Sequence, residues 1–169
     1  MVAQSCSFFY KNILRTPFVV PSAFYPRQEF RLPNILSTDQ VKHLLKVTHN
    51  IKTRCILGMF YGTGLRLEEM CFLKMSAINS KDGELKVEKG KGNKERMTIL
   101  PKTLLAYLYQ YHKEHLPKVY LFEGRTPGFP LSNGAMQVAV RKAMVNAGFE
   151  KGKFTAHSLR HSFATHLLD

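Results

Sequence analysis

Four prolines between Thr16 and Pro33 (Pro17, Pro21, Pro26 and Pro33) set the strongest limit on how this chain can fold. Each fixes its own φ and lacks an amide hydrogen, so neither a helix interior nor a central strand can run through the stretch. The basic residues Arg27 and Arg31 lie in it without any apolar period, and residues 16–33 read as a linker. Residues 1–15 read as the tail of a helix that buries Phe8, Phe9, Ile13 and Leu14 and exposes Lys11 and Arg15, with little to pack on. The compact domain must therefore lie in 34–169. A chain of 169 residues that is 44% hydrophobic is long enough for one ordinary core.

Past the linker the pattern is helical with one interruption. Ser37 followed three residues later by Gln40 is a capping-box pair that starts a helix carrying Val41, Leu44 and Leu45. A second helix is expected over Thr53–Tyr61, broken at Gly62-Thr63-Gly64, and a third over Leu65–Lys74 with Leu67, Met70, Cys71 and Lys74 at helical spacing. Then the period falls to two. Gly83–Glu88 and Arg96–Leu100 flank the turn-forming Gly90-Lys91-Gly92-Asn93-Lys94 and read as a β-hairpin. Helical spacing returns over Lys102–His112, with Leu104, Leu105, Leu108 and Tyr111 inward, and over Ser132–Ala147, with Met136, Val140 and Met144 inward. The run Tyr107, Tyr109, Tyr111 reads as two faces of a packing helix. The segment from Thr155 to Leu168 carries Leu159, Phe163 and Leu167 on one stripe and His157, Arg160 and Ala164 on another. The expected class is α+β, mainly helical with a small antiparallel sheet.

Charge narrows the partner. There are 25 Lys and Arg against 12 Asp and Glu, a net charge of +13, and a surface of that sign attracts a phosphate backbone. A basic surface alone also suits a ribosome-associated or merely soluble protein, so motifs must decide. Cys6, Cys55 and Cys71 are odd in number and have no paired spacing, which argues against a disulfide framework or a cysteine metal site and fits a reducing cytoplasm. The longest apolar run, around Cys55–Tyr61, is too short to span a bilayer, and no secretory signal pattern opens the chain. His157 and His161 could project together as a zinc pair, but the residues between them lack a glutamate and include Arg160. The glycine pairs lack Walker or dinucleotide spacing. No metal and no cofactor is expected.

Three separated segments become informative together: Thr63-Gly64-Leu65-Arg66-Leu67-Glu68-Glu69, Gly90-Lys91-Gly92-Asn93-Lys94-Glu95-Arg96, and His157-Ser158-Leu159-Arg160-His161 continuing to Leu168. Their order and residue types resemble the tyrosine recombinases of the phage-integrase family, especially the Xer and integron-integrase branch. The resemblance runs from about Leu32 to the last residue. It implies a tyrosine recombinase catalytic domain over 34–169, a remnant of the N-terminal core-binding domain over 1–15, and double-stranded DNA as partner.

The resemblance also implies roles. Arg66 and Arg160 grip the scissile phosphate, where a guanidinium fork matches two non-bridging oxygens and keeps its charge. Lys91 protonates the departing 5′ oxygen, with Lys89 and Lys94 as rivals. His157, three residues before Arg160 and on its face, hydrogen-bonds the phosphate or accepts the nucleophile's proton. Glu69 is a brace for the first arginine rather than a catalyst. In the intact family a tyrosine attacks phosphorus, forms a 3′-phosphotyrosyl link and is displaced by another strand's 5′ hydroxyl, without metal or ATP.

The family pattern continues past Asp169 to a Leu-Gly-His-like segment and the nucleophilic tyrosine. All seven tyrosines here, Tyr10, Tyr25, Tyr61, Tyr107, Tyr109, Tyr111 and Tyr120, precede His157. The expectation is a C-terminally truncated recombinase fragment that binds DNA but is inert alone, for which an intact recombinase protomer is a second candidate partner. The alternative is a non-catalytic decoy or regulator of such a recombinase. A general RNA-binding protein is a third reading, which gives Arg66 and Arg160 no special role.

Overall fold

A computed structural model describes residues 2–16, 21, 34–87 and 95–168. The proline-rich stretch, apart from Thr16 and Pro21, and the turn residues Lys89, Lys91 and Lys94 lie outside the described residues. The chain forms two compact units, 1–32 and 33–169. In the first, α1 (Val2–Asn12) is helical as expected. Its apolar residues are not buried, however: Phe8, Phe9, Ile13 and Leu14 are 48–64% exposed.

The second unit holds α2 (Thr38–Val47), α3 (Ile51–Thr63), α4 (Leu67–Cys71), a three-residue 3₁₀ turn at Met75–Ala77, strands β1 (Ile78–Asn79), β2 (Glu84–Val87) and β3 (Arg96–Ile99), then α5 (Lys102–His115), α6 (Asn133–Asn146) and α7 (Ala156–Leu168). The strands form an antiparallel sheet in the order β1-β2-β3, with Leu85 opposite Thr98 and Val87 opposite Arg96. The class is the one the sequence implies, α-helical with a small antiparallel sheet. β1 is an addition, too short to leave a period in the sequence.

Helix ends follow local chemistry. Ser37 and Gln40 close the expected capping box on α2. The α3 helix starts two residues earlier than expected because Asn50 Oδ1 accepts the Thr53 amide at 2.9 Å. It also runs through Gly62 and ends at Gly64, whose left-handed φ of 60° suits glycine. The α4 helix is much shorter than the expected 65–74. Past Phe72 the backbone leaves the helix and pairs with another segment: Leu121 N donates to Leu73 O at 2.7 Å and Met75 N to Val119 O at 3.0 Å.

α3 is the central element, with Cys55, Ile56, Leu57, Met59 and Phe60 all at most 1% exposed. It packs on α5, α6 and α7. Leu104, Leu108 and Tyr111 of α5 and Met136, Val140 and Met144 of α6 face it as expected, while Tyr109 is 65% exposed, which confirms two faces for the tyrosine run. Along α7 the inward stripe differs from the expected one. Ala156, Ser158, Leu159 and Ser162 are buried, whereas Leu167 is 61% exposed. Ser162 can turn inward because its hydroxyl accepts the Leu36 amide at 2.8 Å and donates to Ser158 O at 2.8 Å, so no polar atom is stranded.

A buried acid organises the loop between α5 and α6. Glu123 Oε1 accepts the Lys118 and Val119 amides at 2.9 and 2.7 Å, and its main-chain carbonyl receives Lys52 Nζ of α3 at 2.5 Å. Those amides, the Val119 one first, hold its carboxyl below the usual range against the opposing effect of burial.

Candidate phosphate-binding site

The site is built on the sharp turn between α3 and α4. Thr63, the last residue of α3, donates its hydroxyl to Met59 O at 2.6 Å, and its own carbonyl accepts Thr98 Oγ1 of β3 at 3.1 Å. A Cβ on Gly64 would come within 2.5 Å of the Phe163 ring of α7, so glycine is needed for approach as well as for φ. Leu65 is fully buried and pins the turn. Arg66 then stands at the N-cap position of α4 with extended backbone (ψ 158°) and its side chain 45% exposed.

Glu69 closes the turn from inside the first turn of α4. Its Oε2 accepts the Arg66 amide at 2.7 Å and its Oε1 accepts Arg66 Nη1 at 3.0 Å. Arg96 of β3 adds a two-pronged contact, Nη1 to Oε1 at 2.6 Å and Nη2 to Oε2 at 2.7 Å. The Glu69 side chain is only 4% exposed. Burial alone would raise its pKa, but the Arg96 hydrogen bonds, followed by those of Arg66, outweigh it and hold the carboxyl at about 2. Glu69 is therefore an ionised brace.

The second arginine arrives from α7. Arg160 donates Nη1 to the carbonyl of Gly64, 96 residues away in sequence. Burial, then the Arg66 charge, lower its pKa, with Glu69 acting in the opposite direction. His157, one turn earlier on α7, is exposed and lines a cavity of about 180 Å³ with Leu67, Gln137, Arg141 and Phe154. Leu67 directly follows Arg66, so this cavity borders the arginine turn. Among the expected site residues, Arg66, Glu69 and Arg160 come together, His157 stands at the rim, and Lys91 lies outside the described residues. Among the described residues no group of three His, Cys, Asp or Glu side chains is placed to hold a metal ion.

Arg96 is the site residue that sequence reasoning missed. The hairpin reading treated it as the first residue of a strand. The sequence carries the alternation but not its direction: in the structure the polar Arg96 and Thr98 are the half-buried residues of β3, while the apolar Met97 and Ile99 are 53% and 60% exposed. An inverted alternation of this kind marks an inward polar group that needs a buried partner.

The sequence profile of the phage integrase family matches residues 34–169. The chain belongs to that family. Tyrosine recombinase XerA of Pyrococcus horikoshii is 35% identical over 147 residues, covering 85% of this chain and 50% of that protein. The crystal structure of XerA recombinase superposes with a TM-score of 0.74 at 28% identity, covering 98% of this chain and 60% of that one. The pre-cleavage complex of the site-specific recombinase XerH bound to its difH substrate superposes with a TM-score of 0.67 at 25% identity, covering 81% of this chain and 42% of that one. The chain spans about half the length of the curated relatives it matches. The fold is thus that of a tyrosine recombinase catalytic domain.

Proposed function

We propose that this chain binds duplex DNA and grips a backbone phosphate between Arg66 and Arg160, as the phosphate-holding part of a tyrosine recombinase. The observation that carries this reading is the convergence of the two arginines: Arg160 of α7 is tied to the carbonyl of Gly64, two residues before Arg66. Two guanidinium groups held side by side repel each other in the free protein, and an anion between them relieves that repulsion. The net charge of +13 supports a polyanionic partner. Family membership supports DNA, and the XerH recombinase is seen bound to its difH substrate.

In this reading residues 34–169 are the catalytic domain, 16–33 a linker and 1–15 part of the core-binding domain. His157 is proposed to donate to the same phosphate, and Lys91 to protonate the leaving oxygen. The chemistry of strand exchange needs a tyrosine in line with that oxygen, at roughly 3 to 3.5 Å from phosphorus. None of the seven tyrosines follows His157. These seven tyrosines are therefore proposed not to include the nucleophile.

Fluorescence anisotropy with duplex DNA across a salt series tests the binding. Affinity should fall with a log–log slope of about −0.9 per phosphate neutralised, and Arg66→Gln and Arg160→Gln should each weaken it. A flat salt response, or a preference for single-stranded RNA, would favour the general RNA-binding reading. A nicked suicide duplex should yield no denaturant-resistant protein–DNA band. A band removed by Tyr107→Phe, Tyr109→Phe, Tyr111→Phe or Tyr120→Phe would show that one of those residues is the nucleophile.

A further inference from the structure

Two arginines use Glu69, and they use it differently. Arg96 lays both terminal nitrogens along the carboxylate, at 2.6 and 2.7 Å. That parallel fork is the strong and orientationally strict form of an arginine–carboxylate pair. Arg66 gives the same group its amide and one side-chain nitrogen, the latter at the longer 3.0 Å. A carboxylate presents a single outer edge to a fork. Among the described residues Nε and Nη2 of Arg66 have no acceptor, so while Arg96 fills that edge they keep their donors for an anion. Were that edge empty, Arg66 would be well placed to close on it, since its backbone is already fastened to Glu69.

The geometry points to Arg96 as a positioning residue that fills the fork-accepting edge of Glu69 and thereby keeps the Arg66 guanidinium turned toward phosphate. This rests on the reading of Arg66 as a phosphate-gripping residue. Arg96 is itself less suited to that task, because the forked edge formed by its two terminal nitrogens faces Glu69 and only its outward single donors remain. The strand that carries it is fastened to the same turn at a second point, where Thr98 bonds Thr63 O at 3.1 Å, so the fork is presented from a fixed position. The brace also stays charged through ordinary conditions, its carboxyl being held at about 2.

A brace for the hairpin alone would stabilise the fold without changing what Arg66 does, and that difference can be measured on the full chain in two ways. The first needs no DNA: NMR of the Arg66 guanidinium reports rotation about its Cζ–Nε bond. In the wild type rotation should be fast. In Arg96→Gln, and equally in Arg96→Lys, which keeps the charge and loses the fork, Arg66 should be captured by Glu69, with slowed rotation and split Nη signals. The second is a double-mutant cycle in duplex affinity. Arg66→Gln should cost about tenfold in the wild type and far less beside Arg96→Lys, a coupling of the size expected for groups sharing one partner. If Arg96→Gln does not fold, Arg96→Lys carries both measurements. Unchanged Arg66 rotation, or an equal Arg66→Gln penalty in both backgrounds, overturns the inference. If the wild type binds no duplex, the functional reading fails, and the rotation measurement still decides what Arg96 does.

Discussion

Glu69 and Glu123 are both nearly closed to solvent, at 9% and 8% exposure, and both carboxyls are held below the usual range. They differ in who holds them. Main-chain amides of its own loop hold Glu123, so its charge fixes the path of the backbone between α5 and α6. Arg66 of its own turn and Arg96, 27 residues further on, hold Glu69 together with one amide, so its charge fixes side chains. An amide-lined carboxylate has its donors immobilised by the fold. An arginine-lined one leaves surplus positive charge beside it, and here that surplus is half-exposed next to Arg160. The partners of a buried acid, more than its burial, distinguish an acid that holds the fold from one that prepares a site.

The largest effect that would sharpen this contrast is Glu69→Ala. It leaves Arg66, Arg96 and Arg160 facing one another without a counter-charge, and unfolding in urea should show a loss of about 3 kcal/mol, the lower end for breaking a buried pair because the arginines are partly solvated. Glu123→Ala should cost about 2 kcal/mol through its unsatisfied amides, yet leave duplex affinity unchanged at equal concentrations of folded protein. A loss of affinity there as large as for Glu69→Ala would break the comparison. Acid comes next. The Glu69 carboxyl is depressed when folded, so its contribution is complete above the unfolded value, about 4.3, and is lost as pH falls toward about 2. The stability gap between wild type and Glu69→Gln should therefore narrow over that window in thermal melts. The smallest effect is in salt: Arg66→Gln should flatten the log–log slope of duplex binding by about 0.9, whereas Lys52→Gln, on the Glu123 side, should leave it unchanged.

Much of this was legible in residue order. Ser37 and Gln40 announced the start of α2, Gly64 the end of α3, and the period of two the hairpin, because each feature is decided by neighbours in sequence. Arg66, Glu69 and Arg160 were legible through their family resemblance, and the structure gathers them. The Arg96 fork was not, since its partner lies 27 residues back and an alternating strand does not say in its sequence which of its two faces turns inward. Nor was the truncation of α4, where pairing of Leu73 and Met75 with the 119–121 segment overrides a helical period. The exposure of Leu167 is of the same kind: serines on α7 took inward positions that the apolar count assigned elsewhere.

The anchor of Arg160 is a main-chain carbonyl, that of Gly64. No codon change deletes a carbonyl, so mutation can reach this contact only by removing the arginine or by bending the turn. The turn itself admits little: alanine at 64 meets both a φ of 60° and the Phe163 ring. One half of the link between α3 and α7 is thus hidden from ordinary mutational drift, and a scan of single substitutions would detect it only as intolerance at a residue with no side chain to lose. An ester in place of the amide that follows Gly64, installed by protein semisynthesis, would weaken the carbonyl as an acceptor and expose the contact that genetics cannot see.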